Sequence, residues 1–339
     1  MKPYHTRGTE IDSRRVLILA AVLGVLLLPL VGEAQQAEKA PRIGVTLVGS
    51  PPSPYAEALR RGLAELGWFD GRNIVIEYRY AEGRRDRYAA FMADLIDLKV
   101  HVIVAGGGGS AVRAAVKATS VIPIVVPVMG DPVVSGLVRS MARPGGNLTG
   151  QSQVEADISA KRAELFKAIL PRAERVAVLR DSGEEPRSAQ NWVDPAVAAA
   201  RSLGLRPQVV SASGVEDLEA AFAAAKAGGA EGLIVPASAF FNNHRQRIVD
   251  LSLRYRLVGV FENRGFAEVG GLISYGVNIA EMYRDAARYV DKILRGAKPA
   301  DLPIEQATRF ELVINLRTAK VLQVPIPQTL LIRADRVVE

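Results

Sequence analysis

Residues 102–131 read VIVAGGGGSAVRAAVKATSVIPIVVPVMGD. An apolar run from His101 to Ala105 stops at Gly106-Gly107-Gly108-Gly109-Ser110, a helical stretch follows to Thr119, and a second apolar run, Ile122 to Val128, ends at Met129-Gly130-Asp131-Pro132. Short β-branched runs bounded by glycine and proline are buried strands, and a helical connection between two of them is the unit of a parallel sheet covered on both faces.

The same alternation extends outward. Upstream, Arg42 to Val48 and Asn73 to Tyr80 read as strands, with Tyr55 to Leu66 and Arg84 to Leu98 as helices. Downstream, Arg143-Pro144-Gly145-Gly146-Asn147 breaks the rhythm and the series restarts. Helices are expected at 161–170, 189–203, 215–226 and 243–255, and strands at 175–179, 207–211, 232–235, 258–261 and 272–274. A C-terminal helix at 280–294, a strand at 310–314 and a helix at 316–322, capped by Asn315, complete the pattern. The expected fold class is α/β, with two Rossmann-like lobes of parallel sheet joined by a multi-crossing hinge. Residues 42–150 with 278–339 would form the N-terminal lobe, and 151–277 the C-terminal lobe.

The chain opens with a basic stretch containing Arg14 and Arg15, then the apolar run Val16 to Val31, then Gly32-Glu33-Ala34. A charged flank, a hydrophobic core shorter than the roughly 20 residues of a spanning helix and a small-residue exit make a secretory signal peptide, cleaved near Ala34. The expected location is the periplasm. The absence of cysteine suits an oxidising compartment and leaves no thiol to acylate or pair. The formal net charge is +7, but basic residues alternate with acidic ones, as in Glu281-Met282-Tyr283-Arg284-Asp285, without a stripe or interleaved aromatics. Nucleic-acid binding is therefore not expected.

The stretches GLAELGWFDGRNIVIEYR (62–79), IPIVVPVMGDPVVSGLV (122–138), ARPGGNLTG (142–150) and FELVINLRTAKVL (310–322) together resemble the ABC transporter substrate-binding protein family, close to its tryptophan- and tyrosine-binding importer components. The resemblance implies a type I periplasmic-binding fold, two lobes that close on a small solute, and delivery to an ABC permease in the inner membrane. The protein is expected to be a monomer.

In open α/β sheets ligands bind beyond the carboxyl ends of the strands. That rule selects Ser50 after the first strand, and Gly107, Gly108, Gly109 and Ser110 after the third, where bare N–H groups and a helix start would suit a solute carboxylate. These glycines serve equally well as a tight turn. Asp131 would accept from a solute ammonium or cap a helix begun by Pro132. Asp181 and Ser182 end the first strand of the second half. Phe240, Phe241 and Tyr275 offer rings for an apolar solute or for packing between lobes, and Glu262 is a second ammonium partner. An amino acid or another small carboxylate is the leading solute.

Enzyme readings find little support. Gly106 to Ala111 satisfies G-x-G-x-x-A with Asp131 downstream, as an exported NAD-dependent enzyme would need, but any glycine run does so and this one follows the third strand. His5, His101 and His244 have no metal-ligand spacing, and there is no cysteine nucleophile. No catalytic activity, cofactor or metal is expected. A ligand-binding subunit of a periplasmic sensor system is the alternative that shares the fold and differs only in the partner.

Overall fold

The structure is a computed structural model that describes residues 40–153 and 155–339. The expected signal peptide, residues 1–34, lies outside the described residues. The first half runs β1 (Arg42–Leu47), α1 (Pro54–Glu65), β2 (Val75–Tyr80), α2 (Arg87–Asp97), β3 (Val102–Ala105), α3 (Gly109–Ala118), β4 (Ile124–Met129) and β5 (Leu148–Ser152). The second runs α4 (Glu155–Ile169), β6 (Arg175–Asp181), α5 (Pro186–Ser202), β7 (Arg206–Ala212), α6 (Asp217–Ala227), β8 (Gly232–Ile234), α7 (Ala239–Asn243), α8 (Arg245–Arg254), β9 (Val258–Phe261), α9 (Arg264–Glu268) and β10 (Ile273–Val277). The chain closes with α10 (Ile279–Leu294), β11 (Glu305–Gln306), β12 (Phe310–Asn315), α11 (Leu316–Leu322), α12 (Gln328–Arg333) and β13 (Arg336–Val338).

Two sheets result. The first, ordered β11-β5-β4-β3-β1-β2, is parallel throughout. The second, ordered β13-β12-β10-β9-β8-β6-β7, is parallel except where β12 runs antiparallel to β10. β3 is buried along its whole length, as its unbroken apolar run requires. The chain crosses between the sheets after β5, after β10 and after β11.

The tail divides between the lobes, which corrects the assignment of all of 278–339 to the first. α10 packs on α1 of the first lobe, and Gly62 sets the distance: a Cβ there would sit 2.3 Å from the Arg284 carbonyl. β12 and β13 instead extend the second sheet, where Leu312 and Ile314 fill its core. Crossing back buries the apolar face of β12, which β11 lacks: both of its residues are exposed.

β5 is a strand that periodicity does not announce. LTGQS is polar, yet every residue in it is buried. Thr149 Oγ1 donates to the Leu302 carbonyl at 2.8 Å and Gln151 Nε2 to the Met282 carbonyl at 2.7 Å, so the polar groups are satisfied inside. Gly150 adopts φ +141°, with the Val126 carbonyl 2.1 Å from where a Cβ would lie. The helix expected over 243–255 is α8, and a short helix not expected, α7, meets it at His244 and is capped by Ser238 Oγ, which accepts from the Phe241 N–H at 3.2 Å.

Candidate functional site

The carboxyl ends of β1, β3, β4, β6, β8 and β9 all open on one cleft between the sheets. Its cavity of about 140 Å³ is room for on the order of ten waters. The floor on the first lobe is the glycine turn. Gly107 and Gly108 hold φ of +123° and +79°, in the left-handed region that glycine enters without strain. Tyrosines fill the space their side chains would take: a Cβ on Gly106 would lie 2.1 Å from Tyr283 Oη, and one on Gly107 2.0 Å from Tyr88 Oη. Tyr283 stacks on Tyr55 at 5.2 Å, and both line the cavity. The glycines thus serve packing. They also leave the N-terminus of α3, which has no side-chain cap, facing the cleft with Gly109 at the cavity wall.

Side chains bridge the lobes around this cavity. Arg85 Nη2 donates to both oxygens of Asp181 at 2.6 Å, and Ser238 Oγ donates to Asp181 Oδ2 at 2.6 Å. Burial pushes the Asp181 carboxyl up, against the pull of the Arg85 charge. Glu184 accepts from Ser110 Oγ at 3.0 Å and from Arg113 at 2.7 Å. Asn191 donates to the Asp131 carbonyl at 3.2 Å and to Ser135 Oγ at 3.1 Å. Asn242 Nδ2 donates to Tyr55 Oη at 2.8 Å. Trp192 completes the wall over Gly130, its ring 3.1 Å from the position of a Cβ there.

Glu262, at the end of β9, is 6% exposed and borders the cavity, with Oε1 unpartnered. Burial pushes its carboxyl up to about 8. Behind it Arg162, 1% exposed, is held by Glu155 at 2.9 Å and by the Tyr275 carbonyl at 2.9 Å.

Of the expected site residues, Gly107, Gly108, Gly109, Asp181, Phe241 and Glu262 line the cavity. Ser110 is turned to Glu184. The Asp131 side chain accepts from the Val133 and Val134 N–H groups at 2.8 and 3.0 Å, the capping alternative, but the helix expected after Pro132 is a turn. Ser50 and Ser182 are exposed away from the cavity, and Val48 takes the place expected of Ser50. Phe240 and Phe241 are helical core residues, not loop residues: both are buried with Phe222, and Phe240 lies beneath the Arg85 guanidinium at 5.1 Å. Tyr275 stacks on Phe310 at 6.0 Å, outside the cavity wall. Tyr55, Arg85, Arg113, Asn191, Trp192, Ser238 and Tyr283 were not singled out by sequence. Among the described residues no cluster of His, Asp or Glu is placed to hold a metal, and no helix is long and apolar enough to cross a membrane.

Comparison with known proteins agrees with this geometry. The family model described as ABC transporter substrate binding protein matches residues 42–338. A curated tyrosine-binding protein of Clostridioides difficile is 26% identical over 330 residues, covering 92% of this chain and 93% of its own. The crystal structure of an ABC domain in complex with L-Trp from Streptococcus pneumoniae superposes with a TM-score of 0.81 at 25% identity, covering 88% of this chain and 99% of that one. The leucine-binding protein LivK of Thermotoga maritima shares the fold at a TM-score of 0.54 and 15% identity, over 75% and 83% of the two chains. The architecture is that of type I periplasmic binding proteins, whose work is to hold solutes rather than transform them, and the chain belongs to the family of ABC transporter substrate-binding proteins.

Proposed function

We propose that this chain is the periplasmic solute-capturing component of an ABC importer, exported by its N-terminal segment and working as a monomer. The open form takes up an amino acid, the lobes close on it, and the closed form docks on the permease in the inner membrane. The observation that carries this reading is a single cavity lined by the strand ends of both sheets and ringed by hydrogen bonds between them.

The solute carboxylate lies against the N–H groups of Gly107 to Ser110 at the start of α3, its ammonium faces Glu262, and its side chain lies among Tyr55, Trp192 and Phe241. The tyrosine-binding and tryptophan-bound relatives support an amino acid with an apolar or aromatic side chain. Native mass spectrometry of the protein purified from the periplasm without refolding tests the reading. A retained amino acid that raises the melting temperature on re-addition is the expected result. A protein that arrives empty and is unmoved by all twenty amino acids sinks it.

A further inference from the structure

The charges at the cavity do not balance internally in the way the bridging pairs suggest. Asp181 is met by Arg85 and Ser238, and Glu184 by Arg113 and Ser110. Glu262 has no such partner. From α4, Arg162 faces it but spends Nη1 on Glu155, Nε on the Tyr275 carbonyl and Nη2, at 3.3 Å, on the backbone carbonyl of Glu262 itself. Glu155, also on α4, opposes ionisation at Glu262, and a backbone hydrogen bond from Ser238 assists it. From α1, Tyr55 is a buried phenol held neutral. From α8, Arg245 donates to the Asn242 carbonyl at 2.9 Å, and from α9, Arg264 lies 3.8 Å from Glu268 and from Glu311. A buried carboxyl with one orphaned oxygen and no ion-pair partner among the described residues favours its neutral form.

Resting on the amino-acid reading above, we infer that the solute is anchored by a cationic amine on Glu262 and that each capture expels one proton from that carboxyl to bulk water. The balance is simple. A neutral carboxyl and a solvated ammonium become a buried carboxylate–ammonium pair and one free proton, so the charge introduced by the solute's amine is cancelled where it lands. The unoccupied site avoids holding a bare buried anion, and a solute lacking the amine finds only a neutral acid. Capture is then tighter at higher pH, because the proton that must leave is already gone. The ordinary carboxylate range would give no such dependence near neutrality; burial pushes this carboxyl up to about 8.

Titration calorimetry with L-tryptophan, in phosphate and in Tris across pH 6–9, reads both the affinity and the proton. The expected result is about a tenfold gain in affinity from pH 6 to pH 7, levelling off above pH 8, with close to one proton released per site at pH 7. Indole-3-propionate, the same molecule without the amine, binds far more weakly and releases none, and Glu262→Gln abolishes both the pH dependence and the release. L-tryptophan binding with no proton released, or indole-3-propionate binding as tightly, overturns the proposal and leaves the solute-binding reading standing. If L-tryptophan does not bind, the aromatic-solute reading falls, and the carboxyl is judged by ¹³C NMR of the empty protein. A Glu262 carboxyl that titrates near pH 8 supports the proposal, and one already ionised at pH 6 overturns it.

Discussion

Arg85 and Asp181, 96 residues apart in the chain, meet across the cleft with one guanidinium nitrogen 2.6 Å from both carboxylate oxygens. Neither sheet contains both residues: Arg85 precedes α2 on the first lobe, and Asp181 ends β6 on the second. In the proposed cycle the contact forms only when the lobes are together, so its energy would favour closure. A hydrogen bond to a charged group contributes about 1.5–3 kcal/mol, less here because Arg85 keeps 22% of its side chain exposed. Arg85→Ala should weaken solute affinity by about 10-fold or somewhat more and enlarge the ligand-free radius of gyration in X-ray scattering. Unchanged affinity and unchanged scattering would mean that the pair forms without biasing closure.

The chain has two tryptophans, Trp68 and Trp192, and only Trp192 borders the cavity. Trp68 is fixed within the first lobe, its Nε1 donating to Asp291 at 2.8 Å. Closure on a non-fluorescent solute such as L-leucine should therefore change emission through Trp192 alone. Trp192→Phe should abolish the change and Trp68→Phe should retain it. The opposite pattern would place the moving wall elsewhere.

Gly107 combines φ +123° with Tyr88 Oη 2.0 Å from any Cβ. Alanine there meets both a strained backbone and a buried ring that is 1% exposed and cannot swing away. Gly107→Ala should cost about 2–4 kcal/mol, read as a lower urea midpoint. Gly146, where nothing lies within 4 Å of a Cβ and φ is not in the left-handed region, should tolerate alanine with little change.

What sequence alone reveals divides along physical lines. Buried parallel strands are nearly all apolar, so β1, β3, β4 and β9 stand out as runs, and glycine marks the carboxyl ends of the first three. β5 does not, because LTGQS is buried by satisfying its polar groups rather than by lacking them. The strand-end rule pointed to the cleft, and half of the residues it selected lie in the cavity wall, since that wall is made largely of loops whose place in the chain is fixed by the strands. It passed over the bridging residues. Arg85 sits in the run Gly83-Arg84-Arg85-Asp86-Arg87, which reads as a solvated charge cluster, and nothing local distinguishes the arginine that faces Asp181. Phe240 and Phe241 misled for the converse reason. A helix of only five residues gives too short a window for periodicity, so both read as loop residues, although Phe240 is packed away from the cavity and Phe241 lines its wall from within the helix.

Glu262 also carries a stability signature that needs no solute. Its folded value, pushed up to about 8, lies above the 4.5 of a free carboxyl, so the folded state holds the proton more tightly than the unfolded one. Its contribution is therefore full below about pH 4.5, falls as pH rises, and is lost above about pH 8. At 1.36 kcal/mol per pH unit that window is worth on the order of 4–5 kcal/mol. Glu262→Gln keeps the shape and stays neutral, so relative to the native protein it should gain stability steadily between pH 5 and pH 8.5. Urea unfolding of both proteins at pH 5, 7 and 8.5 measures the difference directly. A gap that does not change with pH would mean that Glu262 is ionised in the folded state.

The buried pair behind it makes the last prediction. Arg162 and Glu155 are 1% and 4% exposed in their side chains and 2.9 Å apart, with Ser159 Oγ donating to the same Glu155 oxygen at 2.8 Å. Removing the cation alone strands Glu155 and takes a donor from two backbone carbonyls, that of Tyr275 within β10 and that of Glu262 at the cavity. Arg162→Met should therefore cost about 3–5 kcal/mol, the penalty of an uncompensated buried charge. Adding Glu155→Leu removes that charge, and the double variant should recover a large part of the loss. Recovery of stability without recovery of solute affinity would separate the two tasks of Arg162, neutralising Glu155 and holding the Glu262 backbone in place. Loss of stability in the double variant as large as in the single one would show that the carbonyl contacts, and not the ion pair, hold this part of the second lobe together.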